Sequence, residues 1–222
     1  MRTIEVLDHG FVRLVDHMGS DLSIVRNARV SYDAEWRAGT DKGSDARLIK
    51  YLYANRHNTP FEAVTFTFDI KAPIFVLRQW HRHRTQSYNE LSARYRELPT
   101  EFYVPELEQI TTQSRDNKQM RTDEGHPLAG YMRTAMAQQN AEAFETYGKL
   151  LASGCPRELA RTVLPVATYS HMFATMNLHN LFGFLRERLH PHAQYEIRVY
   201  AQAMLELIED IVPTAVEAFR NE

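Results

Sequence analysis

The densest chemistry in the chain is the run Arg78-Gln79-Trp80-His81-Arg82-His83-Arg84-Thr85-Gln86-Ser87-Tyr88-Asn89-Glu90-Leu91-Ser92-Ala93-Arg94-Tyr95-Arg96, which holds five arginines and no lysine. The planar guanidinium fork grips phosphate through two parallel hydrogen bonds, and the interleaved Ser, Asn and Gln side chains offer neutral partners to a sugar or base. A nucleotide site is chemically sensible here, although a solvated arginine face on a helix would use the same composition. The upstream segment tilts the balance. Val64, Phe66, Phe68 and Ile70 alternate with Thr65, Thr67, Asp69 and Lys71, which predicts a strand with one buried and one polar face. Pro73 fits the first turn of a following helix, and Ile74, Leu77 and Arg78 keep helical spacing toward Trp80. A helix leaving such a strand sets its next loop at a sheet edge, a common place for ligands.

Other chemistries find less support. His81 and His83, and again His190 and His192, form HxH pairs, but no nearby Cys, Asp or Glu completes a ligand set, so no metal is assigned. Cys155 lies between Gly154 and Pro156 with no neighbouring base and reads as a small buried apolar residue. No GxGxxG follows a strand and no GxxxxGK[ST] occurs, so neither a Rossmann nor a Walker phosphate site is supported. A single-stranded nucleic-acid-binding protein, with Trp80, Tyr88 and Tyr95 as stacking platforms, is the competing class.

The elements that must position these residues are legible in part. Thr3 to Leu7 and Gly10 to Val15 alternate around Asp8-His9-Gly10 and predict a hairpin. Leu22 to Val30 is less periodic. Ser31 to Gly43 suits a loop ending at Ser44 as a helix cap, with a helix over 45–55. Arg115 to Pro127 is the most polar stretch and reads as a surface excursion. Leu128 to Leu151 predicts a long helix stopped by Gly154 and Pro156, with a second helix from Arg157. A last helix from Ala193 carries Ile197, Tyr200, Ala201, Met204, Leu205, Ile208 and Ile211 as one stripe closed by Pro213. The expectation is an α+β fold over residues 1–222 as a single domain. Its central, mainly antiparallel twisted sheet is flanked by helices, with strands mostly in the N-terminal half and long helices in the C-terminal half.

Composition bounds the partners. The 222 residues carry 26 Lys and Arg against 28 Asp and Glu, a net charge of -2, which is too balanced for bulk-charge binding of nucleic acid and makes any anion site local. No apolar run approaches the length of a bilayer span, and the N-terminus alternates and carries early acids, unlike a signal peptide. One cysteine makes no internal disulfide, which points to a reducing, cytoplasmic compartment.

Arg82-His83-Arg84, followed after seven residues by Ser92 and Arg94, resembles the signature of the flavin-dependent thymidylate synthases, the thymidylate synthase-complementing protein family. Ala28-Arg29-Val30-Ser31, His57-Asn58-Thr59-Pro60-Phe61-Glu62, Lys71-Ala72-Pro73-Ile74-Phe75, Ala160-Arg161-Thr162-Val163-Leu164-Pro165 and His192-Ala193-Gln194-Tyr195-Glu196 also resemble that family, in order. The resemblance implies reductive methylation of dUMP to dTMP, with 5,10-methylenetetrahydrofolate as carbon donor and NADPH as reductant through bound FAD, no cysteine nucleophile, and a homotetramer whose sites are shared between subunits. It implies Gln79, Arg82, Glu90, Ser92, Ala93, Arg94, Arg161 and Arg188 for the nucleotide, with Arg188 catalytic beside the uracil. It implies Ser31, Thr59, Glu62, Arg82, His83, Arg84, Glu90, Asn177, His179 and Gly183 toward the flavin, and His57 and Tyr95 beside the folate. Taken singly, Thr59 and Asn177 would also serve as helix caps and Glu62 as a surface acid. Gly183 falls where the family has Asn or His, and His179 where some members have Arg. An oxidase-like remnant that keeps flavin and nucleotide but loses methyl transfer is the second reading.

Overall fold

The computed structural model describes residues 2–222. The chain opens with β1 (Thr3–Val6) and β2 (Gly10–Met18), paired antiparallel through Val6↔Gly10 as the alternation predicts. The weakly periodic stretch beyond is a helix, α1 (Asp21–Arg29), begun by Ser20, whose N–H donates to Ser23 Oγ at 3.1 Å. Two short 3₁₀ turns lead to α2 (Lys42–Ala54). Its cap is Asp41, not Ser44: the Asp41 carboxylate accepts from the Ser44 N–H at 3.0 Å, so Ser44 already lies inside the first turn. Thr59 is likewise no cap, because it opens the 3₁₀ turn Thr59–Ala63 behind Asn58.

β3 (Thr65–Pro73) keeps its predicted alternation, with Phe66, Phe68, Ile70 and Ala72 fully buried on one face. Pro73 closes this strand instead of entering the helix, α3 (Ile74–Trp80). The polar face is not simply solvated: Asp69 is buried beneath Arg13 and His171, both of which bond its carboxylate. β4 (Ser87–Glu90) follows, and the polar stretch near 115 forms a hairpin of β5 (Thr111–Gln113) and β6 (Arg121–Gly125). The hairpin is anchored by Arg121, which bonds the buried Glu196 at 2.9 Å.

The long helix α4 (Ala129–Ala152) gathers Phe144 and Tyr147 over Ala160 in a small core of its own. The helix predicted from Arg157 is a single turn, α5 (Arg157–Ala160), which passes at once into a 3₁₀ turn. A strand absent from the sequence reading, β7 (Tyr169–Asn177), lies between β3 and β4 and completes the antiparallel order β1-β2-β3-β7-β4. α6 (Leu178–Arg188) leaves it directly. α7 (Tyr195–Ile208) ends before Ile211, and Pro213 opens α8 (Pro213–Arg220) instead of closing α7, since a missing N–H costs nothing in a first turn.

The fold is α+β, with one main core between the sheet and its helices: α7 lies on β1 and β2, α3 on β3, and α6 on β7. Packing at the sheet corner is close. The Tyr200 hydroxyl donates to the Lys71 carbonyl at 2.8 Å directly over Gly10, where an added Cβ would crowd that hydroxyl and lie 2.6 Å from the Val6 carbonyl oxygen. Gly10→Ala is therefore expected to cost about 1–3 kcal/mol of unfolding free energy, read as a drop in Tm of several degrees. An unchanged Tm would contradict the packing described.

Candidate functional site

α3 ends in the fully buried Trp80, whose indole stacks on Phe184 of α6 at 4.6 Å between centroids. The next residues, 81–86, are held from several sides. Trp80 Nε1 donates to Gln86 Oε1 at 3.1 Å, Asn180 Nδ2 donates to the Thr85 carbonyl at 3.0 Å, and the Tyr88 hydroxyl donates to the His83 carbonyl at 2.7 Å. Burial pushes the Tyr88 phenol up to about 12, so it stays a donor across the physiological range. With the backbone fixed, the Arg82 and Arg84 side chains project into solvent, and neither joins an ion pair among the described residues. Unpaired guanidinium groups on a rigid loop are suited to an incoming phosphate.

Arg188, in the last turn of α6, meets this loop from the other side. Its Nε donates to His83 Nε2 at 2.9 Å, and its side chain is only 20% exposed. His83 must accept there, so it is neutral with its proton on Nδ1. Burial and the adjacent Arg188 charge hold its pKa below the usual 6.5, against an opposing pull from Glu187, whose carboxylate is 3.8 Å away. Gln79 bonds the side chain of Gln194 nearby. His83 and Arg188 thus form one contact, and Arg82, whose N–H donates to the Gln79 carbonyl at 3.3 Å, precedes it on the same loop.

The remaining nucleotide candidates form a second group. Glu90 accepts from the Ser170 hydroxyl at 2.6 Å, Ser92 Oγ accepts from the Arg94 N–H at 3.3 Å, and Ala93 is buried. Arg94 reaches Glu158 at 3.5 Å, and Arg161 bonds the Glu158 carbonyl. Arg94, Tyr95, Pro156, Arg157 and Glu158 line a depression of about 250 Å³. Among the described residues no hydrogen bond or ion pair joins Ser92, Arg94 or Arg161 to the Arg188 group.

The flavin candidates gather around the start of α6. The Leu178 N–H donates to the Val64 carbonyl at 2.8 Å, which docks this helix on the turn bearing the exposed Thr59 and Glu62. Asn177 caps α6, accepting from the Asn180 N–H at 2.9 Å through Oδ1 and leaving its Nδ2 available. A Cβ at Gly183 would meet nothing within 4 Å, so this helix face is open, and Arg82 and Arg84 supply cationic chemistry for a pyrophosphate, with His179 as a further ring nitrogen. This donor set and open face fit a flavin dinucleotide. Ser31 is exposed on a 3₁₀ turn, as is Tyr95 on its loop, and His57 is exposed with its ring tilted against Tyr51 at 6.0 Å.

Two cavities near 600 Å³ flank these groups. One, between α2, α6 and α8, takes in His179 with Lys50, Arg56 and Arg186. The other lies between the β5–β6 hairpin and His192, Gln194 and Tyr195. Sequence reasoning assigned no role to Gln194, Phe184 or Glu187. Gln194 stood inside the matched block at 192–196, whereas Phe184 and Glu187 carry no local signal. Among the described residues no cluster of three or more His, Cys, Asp and Glu is placed to hold a metal, and no helix is long and apolar enough to cross a membrane.

Residues 13–214 match the family described as thymidylate synthase complementing protein. A flavin-dependent thymidylate synthase of Treponema denticola is 48% identical over 222 residues, covering 99% of this chain and 82% of its own length. One from Thermus thermophilus is 49% identical over 219 residues, covering 99% of this chain and 78% of its own. The crystal structure of a UMP/dUMP methylase, PolB from Streptomyces cacaoi bound with 5-Br dUMP, matches with a TM-score of 0.89 at 38% identity over 98% of this chain and 97% of that one.

The cap geometry of Asn177 is separable from any ligand role. Asn177→Ala is expected to cost roughly 1 kcal/mol in unfolding experiments without ligand, and Asn177→Ser to recover most of it. Equal stability of all three proteins would show that the cap contributes nothing.

Proposed function

The chain belongs to the thymidylate synthase complementing protein family, the flavin-dependent thymidylate synthases, and is an enzyme that methylates dUMP; we propose that the carbon comes from 5,10-methylenetetrahydrofolate and the electrons from NADPH. The equation balances: the folate's methylene and a hydride originating from NADPH make the methyl group, the C5 hydrogen leaves as a proton, that proton and one from solvent restore the two N–H groups of tetrahydrofolate, and oxidised nicotinamide leaves. Bound FAD would supply the two-electron relay between nicotinamide and substrate.

The observation that carries this reading is the convergence of Arg188 on the Arg82-His83-Arg84 loop. Arg188 offers a fixed cation where negative charge develops on the uracil ring, while Gln79 and Arg82 orient the nucleotide. Ser92, the Ala93 backbone, Arg94 and Arg161 take the phosphate, with Glu90 as the hinge between strand and loop. Ser31, Thr59, Glu62, Arg82, His83, Arg84, Glu90, Asn177, His179 and Gly183 face the flavin, and His57 and Tyr95 flank the folate. Among the described residues no hydrogen bond or ion pair joins the uracil-side group to the phosphate-side group, which supports assigning the complementary half of each site to a second copy in a homotetramer. Residues 1–222 act as one domain, and the reducing cytoplasm suits a chain with a single free thiol.

No step requires that thiol. Cys155 packs against the small core under α4, with its sulfur 3.8 Å from the Pro156 carbonyl oxygen.

The test is anaerobic. Protein loaded with FAD is reduced by NADPH, followed by absorbance, and then given dUMP and methylenetetrahydrofolate while dTMP is quantified. Cys155→Ala should keep kcat/KM within about twofold, and Arg188→Ala should lose about 10²-fold or more. Bleaching without dTMP would favour an oxidase-like remnant, and a protein that takes up no flavin would overturn the reading.

A further inference from the structure

Arg188 is aimed by another side chain. A guanidinium carries a single Nε–H, and here that hydrogen is spent on His83 Nε2 at 2.9 Å, which leaves the Nη groups for a ligand, one of them 3.8 Å from the exposed Glu187 carboxylate. The acceptor is unusually well fixed. The His83 ring packs edge-on against Phe184 at 4.8 Å, one helical turn before Arg188 on the same face of α6. Its N–H donates to the Trp80 carbonyl at 2.9 Å, and its carbonyl accepts from the Tyr88 hydroxyl at 2.7 Å.

We propose that His83 is a positioning residue for Arg188: its unprotonated Nε2 holds the guanidinium in the orientation that meets the nucleotide, so that protonation of His83 releases it and weakens dUMP binding. This rests on the reading of Arg188 as the group beside the uracil. The charged groups facing the imidazole are Arg188 and Glu187, both from α6; Phe184 of that helix packs on the ring, the neutral Tyr88 phenol of β4 bonds the His83 carbonyl, and Arg82 and Arg84 on its own loop are exposed. An imidazolium would have no lone pair for Arg188 and would bring like charges into contact. Burial and Arg188 hold the His83 pKa down, so the neutral, holding form is present at pH 7 and is lost only as the pH falls. The apparent Kd for dUMP then rises in inverse proportion to the neutral fraction, by up to about tenfold per pH unit until the contribution of Arg188 is exhausted.

The measurement is dUMP binding to the flavin-loaded protein by calorimetry from pH 5 to 8, with flavin occupancy read from absorbance. His83→Gln keeps an acceptor at comparable reach but does not titrate, whereas His83→Leu removes the acceptor. The phosphate of dUMP titrates equally with every variant, so the difference between curves isolates His83. At pH 7.5, H83L should bind dUMP roughly tenfold more weakly than H83Q, which keeps the acceptor. On the acid side of the profile, where His83 takes up its proton, H83Q should bind more tightly than the unmodified protein. Glu187→Gln removes the carboxylate that favours the imidazolium, and should move the acid loss of affinity to lower pH even if the His83 variants lose flavin. An H83Q curve parallel to that of the unmodified protein, H83L binding as tightly as H83Q, or an E187Q profile that does not move would overturn the proposal. Arg188→Ala separates the two levels: if it binds dUMP undiminished, the underlying reading of Arg188 fails and the proposal with it; if it weakens binding while the His83 series shows no difference, only the positioning role fails.

Discussion

The stack of Trp80 on Phe184 is the contact on which the functional surface depends. It locks the end of α3 against the middle of α6, two elements far apart in sequence that leave adjacent strands of one antiparallel sheet. Such a pair contributes about 0.5–1.5 kcal/mol beyond the area it buries, and both rings lie in the main core with Tyr200 closing an edge at 6.2 Å. The geometric consequence outweighs the energetic one. Residues immediately after Trp80 and one turn after Phe184 are brought face to face, and these are His83 and Arg188.

The electrostatics follow from the same docking. The chain is nearly neutral, yet Arg82 and Arg84 stand clear of carboxylates on a loop whose backbone is tied down at His83 and Thr85 and whose Gln86 side chain is held by Trp80. Preorganised cations of this kind bind phosphate without rearranging a salt bridge first. Arg188 occupies the last turn of α6, where the helix dipole favours a cation, and Asn177 caps the positive end. The second cationic group, Arg94 and Arg161, is tied to Glu158, and among the described residues no hydrogen bond or ion pair joins it to Arg188.

Much of this was legible in sequence, and the failures have physical causes. β3 and α4 announced themselves by period, and the arginine-rich run by composition. β7 stayed hidden because its pattern is inverted: Ser170, Ala174 and two methionines face the core, while His171 and Thr175 lie on the other side and Phe173 is 42% exposed. The β5–β6 hairpin is almost wholly polar and is pinned by Arg121 on Glu196, a contact across 75 positions that no local pattern encodes. Pro213 was legible as a boundary but not as a beginning, since proline both stops one helix and starts the next. Arg188 entered through family resemblance alone. Its bond to His83 spans 105 positions and exists only because α6 docks beside the loop, so neither the pairing nor the separation of the two arginine groups was there to be read.

On the proposed reading, a complete nucleotide site needs the Arg188 group of one copy and the Arg94 group of another. Arg188→Ala and Arg94→Ala, each inactive alone, would be co-expressed with different tags, the mixed assemblies isolated through both, and dTMP formation measured. The account predicts that the mixed assembly recovers activity neither parent has, because some of its sites combine an intact Arg188 with an intact Arg94. A mixed assembly as inactive as its parents would place both arginines of each site in the same chain and contradict the account.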